Sequence, residues 1–199
     1  MPTNYGVLQK AFWRLHIKPM TNNLIDVKEQ ALKDYSKKHY QQAIDGFTLC
    51  LQGFQEKGDE LSVAEMKNNL CVIHVQLKNG TEAYSFVQDT DKVFAAHGDV
   101  RKQAMALSNT ASALELLHRN DEALELYQRA LDLFKEVGEK DMRTSVLRRV
   151  ADLQLKTKRE LQAMASLEAA YSQKENGTIK DSFFRTVLNR IRKAILKQS

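Results

Sequence analysis

The chain has 199 residues, 43% of them hydrophobic and 28% charged, with a formal net charge of +5. Eight glycines and two prolines are too few breakers for a β-sandwich, a disulfide scaffold or a low-complexity chain, and the abundance of Leu, Ala, Lys, Glu and Gln favours helices. At roughly 100–200 residues per domain the length suits one domain or at most two small ones, and the basic balance admits anionic partners without deciding the fold.

Residues 1–22 form a first segment. It holds Lys10, Arg14 and Lys18 and no acid, a charge of +3. The bases interrupt every apolar stretch, so no secretory leader is expected. Val7, Leu8, Ala11, Phe12 and Leu15 share one helical stripe beside the only tryptophan, Trp13. Pro19 separates the segment from the repeats after it. Its expected roles are a cap on the first helix pair, a removable self-ligand lying across a groove, or a free arm.

Residues 23–177 repeat with a shift of 40. Ala43, Ala83, Ala123 and Ala163 fall in one column, and Ala31, Cys71, Ala111 and Ala151 in another. Cys50, Thr90, Ala130 and Ala170 are again small, whereas Phe47, Val87, Tyr127 and Leu167 are bulky. Phe54, Phe94 and Phe134 share a column that is lost at Lys174. Gly58-Asp59, Gly98-Asp99 and Gly138-Glu139 punctuate the period, and Gly177 lies one residue off the fourth position. The units are about 23–58, 59–98, 99–138 and 139–177. Inside a unit the apolar period is helical: Leu114, Leu117, Leu124, Tyr127, Leu131 and Phe134 recur at three to four residues, except around Arg119-Asn120-Asp121. Each unit therefore reads as two antiparallel helices, with turns near 38–40, 78–80, 118–120 and 158–160. The small columns allow close helix approach, and the bulky column fills the space beside them. Asn120-Asp121 reads as an N-cap signal, and each Gly-acid pair as a left-handed helix end followed by a cap.

The stretches Lys28–Ala43, Asn68–Ala83, Ser108–Ala123 and Arg148–Ala163 resemble the tetratricopeptide repeat, in which a small residue of the first helix meets an early Ala of the second. The pairing of Ala31 with Ala43, and its three equivalents, fits that pattern. A period of 40 with Gly in place of a terminal Pro departs from the usual repeat of 34. It resembles the longer variant of kinesin light chains and several bacterial regulators. The resemblance implies an all-α, right-handed solenoid of four helix pairs whose first helices line a concave groove.

On that resemblance the groove would be lined by Lys28, Glu29, Leu32 and Tyr35, then Asn68, Asn69, Val72 and Val75. Ser108, Asn109, Ser112 and Glu115 come next, then Arg148, Arg149, Asp152 and Leu155. The chemistry suits an extended peptide. Asn carries both a donor and an acceptor for unpaired backbone groups, and Asn69 and Asn109 stand one repeat apart. Arg148 and Arg149 favour a carboxylate. Leu32 and Ser112 stand where a clamp for a C-terminal carboxylate would need polar groups, which argues against a chaperone-tail clamp.

Residues 178–199 carry six bases against Asp181, a charge of +5, so the array between the ends is mildly acidic. Phe184, Val187, Leu188, Ile191 and Ile195 form a helical stripe, expected to cap the last pair. Arg185, Arg190, Arg192, Lys193 and Lys197 offer an alternative contact with an anionic membrane surface or an acidic partner. No apolar run reaches a membrane-spanning length. Cys50 and Cys71 suit a reducing compartment and read as packed thiols; Cys71 with His74 lacks a third orienting group. The five histidines show no zinc spacing, and no phosphate loop or nucleophile elbow occurs. The expectation is a noncatalytic, cofactor-free, cytoplasmic adaptor or scaffold binding a peptide or partner helix. The alternatives are a peripheral membrane-associated assembly factor and a peptide-sensing regulator inhibited by its own N-terminal segment. End-to-end self-association is open to it, and nucleic acid is disfavoured.

Overall fold

The computed structural model describes residues 24–171. The N-terminal segment, the C-terminal segment with Arg185, Arg190, Arg192, Lys193 and Lys197, and Gly177 lie outside the described residues. Among the described residues every regular element is a helix: α1 (Leu24–Ser36), α2 (Tyr40–Glu56), α3 (Glu60–Gln76), α4 (Gly80–Val87), α5 (Thr90–Ala96), α6 (Val100–Leu116), α7 (Asn120–Glu136), α8 (Lys140–Lys156) and α9 (Glu160–Tyr171). The chain divides into two compact units, Met1–Asp99 and Val100–Ser199. In the first, α1 packs on α2, α2 on α3, and α3 on both α4 and α5; in the second, α6 packs on α7, α7 on α8 and α8 on α9.

The helix ends are the most regular feature. A left-handed residue closes a helix at Lys38, Gly58, Lys78, Gly98, His118, Gly138 and Lys158, with φ between 58° and 72°, so the reversals recur every 20 residues. Each carries the same pair of backbone bonds. At the first, Lys38 N donates to Tyr35 O at 2.9 Å and His39 N to Asp34 O at 2.9 Å; at the second, Gly58 N donates to Gln55 O and Asp59 N to Phe54 O. This Schellman arrangement satisfies carbonyls that the helix end would otherwise orphan. Glycine adopts the conformation without penalty, as the Gly-acid pairs imply. The turns inside each pair use Lys or His instead, at a cost of about 1 kcal/mol or more each.

Capping differs from expectation. Asp59 accepts a bond from Ser62 N at 3.0 Å, and that bond holds its carboxyl below the ordinary range. Glu139, however, makes no side-chain cap bond. Asn120-Asp121 is not the cap before α7: the N-cap is Arg119, again without a side-chain cap bond. The Schellman turn has already fixed the chain direction there, and Arg119 instead donates to Glu122 through Nε and Nη2.

The columns pack as their sizes dictate. Ala31, Ala43, Cys71, Ala83, Ala111, Ala123, Ala151 and Ala163 are all fully buried, as are Tyr127 and Leu167 of the bulky column. In the first pair the approach is closer still, because a Cβ on Gly46 would meet the Cβ of Ala31 at 2.8 Å. Gly46→Ala would gain about 1 kcal/mol of helix propensity and lose roughly 1–3 kcal/mol to overpacking. The expected result is a lower melting temperature by calorimetry; an unchanged or higher one would mean that α1 gives way without cost.

One helix breaks the rhythm. Residues 80–96 should form a single second helix of 17 residues, as Asn120–Glu136 does. Instead Gln88 turns extended, at φ −50° and ψ 132°, and Asp89 turns left-handed at φ 60°. No residue is added, since both flanking reversals keep their spacing. Thr90 stands at the break, in a column that elsewhere holds Cys or Ala. Its hydroxyl is buried, donates to Val87 O at 2.9 Å and accepts from Asn68 Nδ2 at 2.9 Å. The hydroxyl thus satisfies a carbonyl that the break sets free.

Candidate functional site

On α1, α3 and α8 one row of exposed or half-buried positions recurs at a spacing of three to four residues, whereas the equivalent row of α6 is interrupted by buried Ser112. The positions are Ile25, Glu29, Leu32 and Ser36 on α1, and Glu65, Asn69, Val72 and Gln76 on α3. On α8 they are Ser145, Arg149, Asp152 and Lys156. This stripe contains the central columns of the expected groove. It arises because the opposite faces carry the small and bulky residues that pair the helices.

In the first unit Lys28 Nζ donates to Glu65 Oε2 at 2.5 Å, tying α1 to α3. Its charge is thereby largely committed. Tyr35 is half-buried against Tyr40, with ring centroids 6.2 Å apart, and burial raises its phenol above the ordinary value. Asn69, Val72 and Val75 are half-buried, whereas Leu32 is 42% exposed. Asn68 does not share this surface: it is buried, donating to Ala64 O at 2.9 Å as well as to Thr90. Its column faces inward at this repeat because Thr90 draws the amide to the break. The two adjacent asparagines therefore have different tasks.

In the second unit Asn109 of α6 and Arg148 of α8 are half-buried. Ser108 is half-buried too and donates to Ala104 O at 3.0 Å. Asp152 holds Lys156 at 2.6 Å, and Leu155 is half-buried. Ser112 is another departure from the expected groove, since it is buried. Its hydroxyl bonds Ser108 O at 2.8 Å and lies 3.0 Å from the Tyr127 hydroxyl. Tyr127 fills the bulky column, yet its hydroxyl must be satisfied where it emerges between α6 and α8. It donates to Glu115 Oε1 at 2.5 Å and accepts from Arg149 Nε at 3.0 Å. The Arg149 guanidinium lies 6.0 Å from the Tyr127 ring centroid and 3.7 Å from Glu115, with 47% of the side chain exposed. Burial pushes the Tyr127 phenol far above its ordinary value, so it stays a neutral donor. The result is an oriented cation on the exposed stripe, held from beneath by a core tyrosine. Sequence reading missed the support, because Tyr127 scanned as one more bulky filler. The lone hydroxyl in an otherwise apolar column was the available signal.

Both thiols are buried. Cys71 is fully buried, and burial pushes its thiol up to about 12; Cys50, whose Sγ lies 3.4 Å from Leu24 O, is pushed up to about 11. His74 stacks on Phe86 at 5.4 Å, and burial lowers its pKa against the opposing charge of Glu82. Burial thus disfavours in both the thiolate that nucleophilic chemistry requires. Among the described residues there is no cluster of potential metal ligands, and no helix is long and apolar enough to cross a membrane.

Residues 102–176 match the family model described as tetratricopeptide repeat. No curated protein sequence matches the chain. Solved structures do. BtubC (BKLC) from P. vanneervenii is 19% identical with a TM-score of 0.69, covering 96% of this chain and 81% of its own. The apo form of RapI is 18% identical with a TM-score of 0.72, covering 88% of this chain, which spans 64% of RapI. A kinesin light chain-type protein from Podosopora anserina with nearly identical TPR-like repeats is 12% identical with a TM-score of 0.68, covering 88% and 96%. The chain is thus an all-α repeat protein of the tetratricopeptide solenoid type, with the repeat matched directly over residues 102–176.

Proposed function

We propose that the chain is a noncatalytic protein-binding module whose second unit takes an extended peptide along α6 and α8, with Arg149 as the anchor for a carboxylate. The supporting observation is the tethered guanidinium. Arg149 commits its Nε–H to Tyr127, and Glu115, at 3.7 Å, is beyond hydrogen-bond reach. Its planar fork therefore retains donors for a bidentate partner. The order that Tyr127 imposes reduces the side-chain entropy lost on binding. Asn109, one repeat earlier in the same column, suits the peptide backbone that such a carboxylate belongs to.

The test is selection from a peptide library on the full chain, followed by affinity measurement for Arg149→Ala and Arg149→Lys. Peptides with an acidic side chain or free C-terminal carboxylate should be enriched. A charged hydrogen bond is worth about 1.5–3 kcal/mol, so Arg149→Ala should weaken them by roughly 10- to 100-fold. Arg149→Lys should recover part of the loss, with the circular-dichroism melting curve unchanged. Enrichment without acids, or equal affinity for Arg149→Ala, would overturn the reading.

A further inference from the structure

A cleft of about 490 Å³ lies in the first unit beside the break between α4 and α5. The volume falls within the range of roughly 300–1,000 Å³ typical of binding pockets. Val63 and buried Ala64 of α3, with Val93 of α5, form its apolar part. The break beside it is well fixed. Asp89 is held left-handed without glycine, and the buried Thr90 and Asn68 side chains bond one another at the start of α5. A non-glycine residue kept in that conformation needs surroundings that over-determine it, and such residues gather at functional positions.

We infer that this cleft binds a short free peptide of about three residues, its terminal ammonium toward Glu60 and its terminal carboxylate toward Lys67. The charges are the first support. Glu60, Lys67 and Asp89 are the ionised side chains among the lining residues. Asp89 is already matched by Lys92 at 2.6 Å. Glu60 and Lys67 form no ion pair among the described residues. One carboxylate and one ammonium therefore remain to be met. A simple anion or cation satisfies only one of them, whereas a zwitterion satisfies both.

Spacing is the second support. Glu60 and Lys67 stand two turns apart on α3, which places them on one face and about 10 Å apart along the axis. Val63 and Ala64 occupy the same face between them. An extended peptide covers roughly 3.3–3.6 Å per residue, so three residues span that distance and a single amino acid does not. The third support is the remaining lining. The exposed amides of Gln55 and Gln88 each carry a donor and an acceptor, which suits the peptide groups between the two charged ends. An apolar central side chain would be covered by half-buried Val63 and Val93 and by Ala64.

The experiment titrates the tripeptide Ala-Leu-Ala into the full chain and follows backbone amide shifts by NMR. The chain carries Arg149→Ala, so that the carboxylate anchor proposed for the second unit is silent. Shifts should change at residues 55–67 and 88–93. Converting the peptide carboxylate to an amide should weaken binding about tenfold, because Lys67 is half-buried. Acetylating its ammonium should weaken binding roughly threefold, because Glu60 is exposed. Lys67→Gln should erase the first difference and leave the second; Glu60→Gln should do the reverse. The blocked peptides by themselves need no cleft variant. Shift changes confined to other residues, no binding at millimolar peptide, equal affinity for free and blocked peptides, or differences that survive both substitutions would each overturn the inference.

Discussion

Tyr127→Ala should destabilise the second unit by roughly 3–5 kcal/mol, read as a lower urea midpoint. The ring is fully buried, so truncation leaves a cavity lined by groups that have few routes to collapse. It also removes the hydroxyl that Ser112, Glu115 and Arg149 share. Tyr127→Phe separates the two effects: it keeps the packing and deletes only the polar hub, at a cost of about 1–3 kcal/mol. The phenylalanine variant should also lose affinity for acidic peptides, because Arg149 would be released from its tether. A loss below about 1 kcal/mol for the alanine variant would remove Tyr127 from the core of the unit.

Asn68→Ala should cost about 1–3 kcal/mol and act locally. The amide bridges α3 to the start of α5 through Thr90 and also satisfies Ala64 O. Without it the Thr90 hydroxyl keeps Val87 O but loses its buried donor. Hydrogen exchange should accelerate at residues 87–92 before it does elsewhere in the first unit. Asn69→Ala, one residue on and half-buried, should leave both stability and exchange nearly unchanged. Equal effects of the two substitutions would refute the division of labour between these neighbours.

The repeat was legible because its physics is local and periodic. Ala31, Ala43 and their equivalents must be small for helices to approach, and that demand recurs in register. Gly58, Gly98 and Gly138 announced their reversals, since glycine is the residue a left-handed helix end selects. Lys38, Lys78, His118 and Lys158 did not, because nothing in a lysine or histidine side chain signals that conformation. The break at Gln88-Asp89 was hidden for another reason: Phe86, Val87, Val93 and Phe94 keep a pattern a continuous helix would also show. It is held by the meeting of Asn68 with Thr90, a long-range pair that a scan along one helix does not see. Ser112 was assigned to the surface by its column, and one tyrosine hydroxyl drew it inside.

The 20-residue spacing of the left-handed reversals makes length itself the quantity the fold depends on, much as a reading frame depends on the count of letters. One residue inserted within α6 would rotate everything after it by about 100°. Ala111 would leave its seat against α7, and the tethering of Arg149 by Tyr127 would lose its geometry. The exposed stripe can change its chemistry by substitution without touching that count. A protein built this way can vary what it binds while its frame tolerates almost no insertion or deletion within a helix.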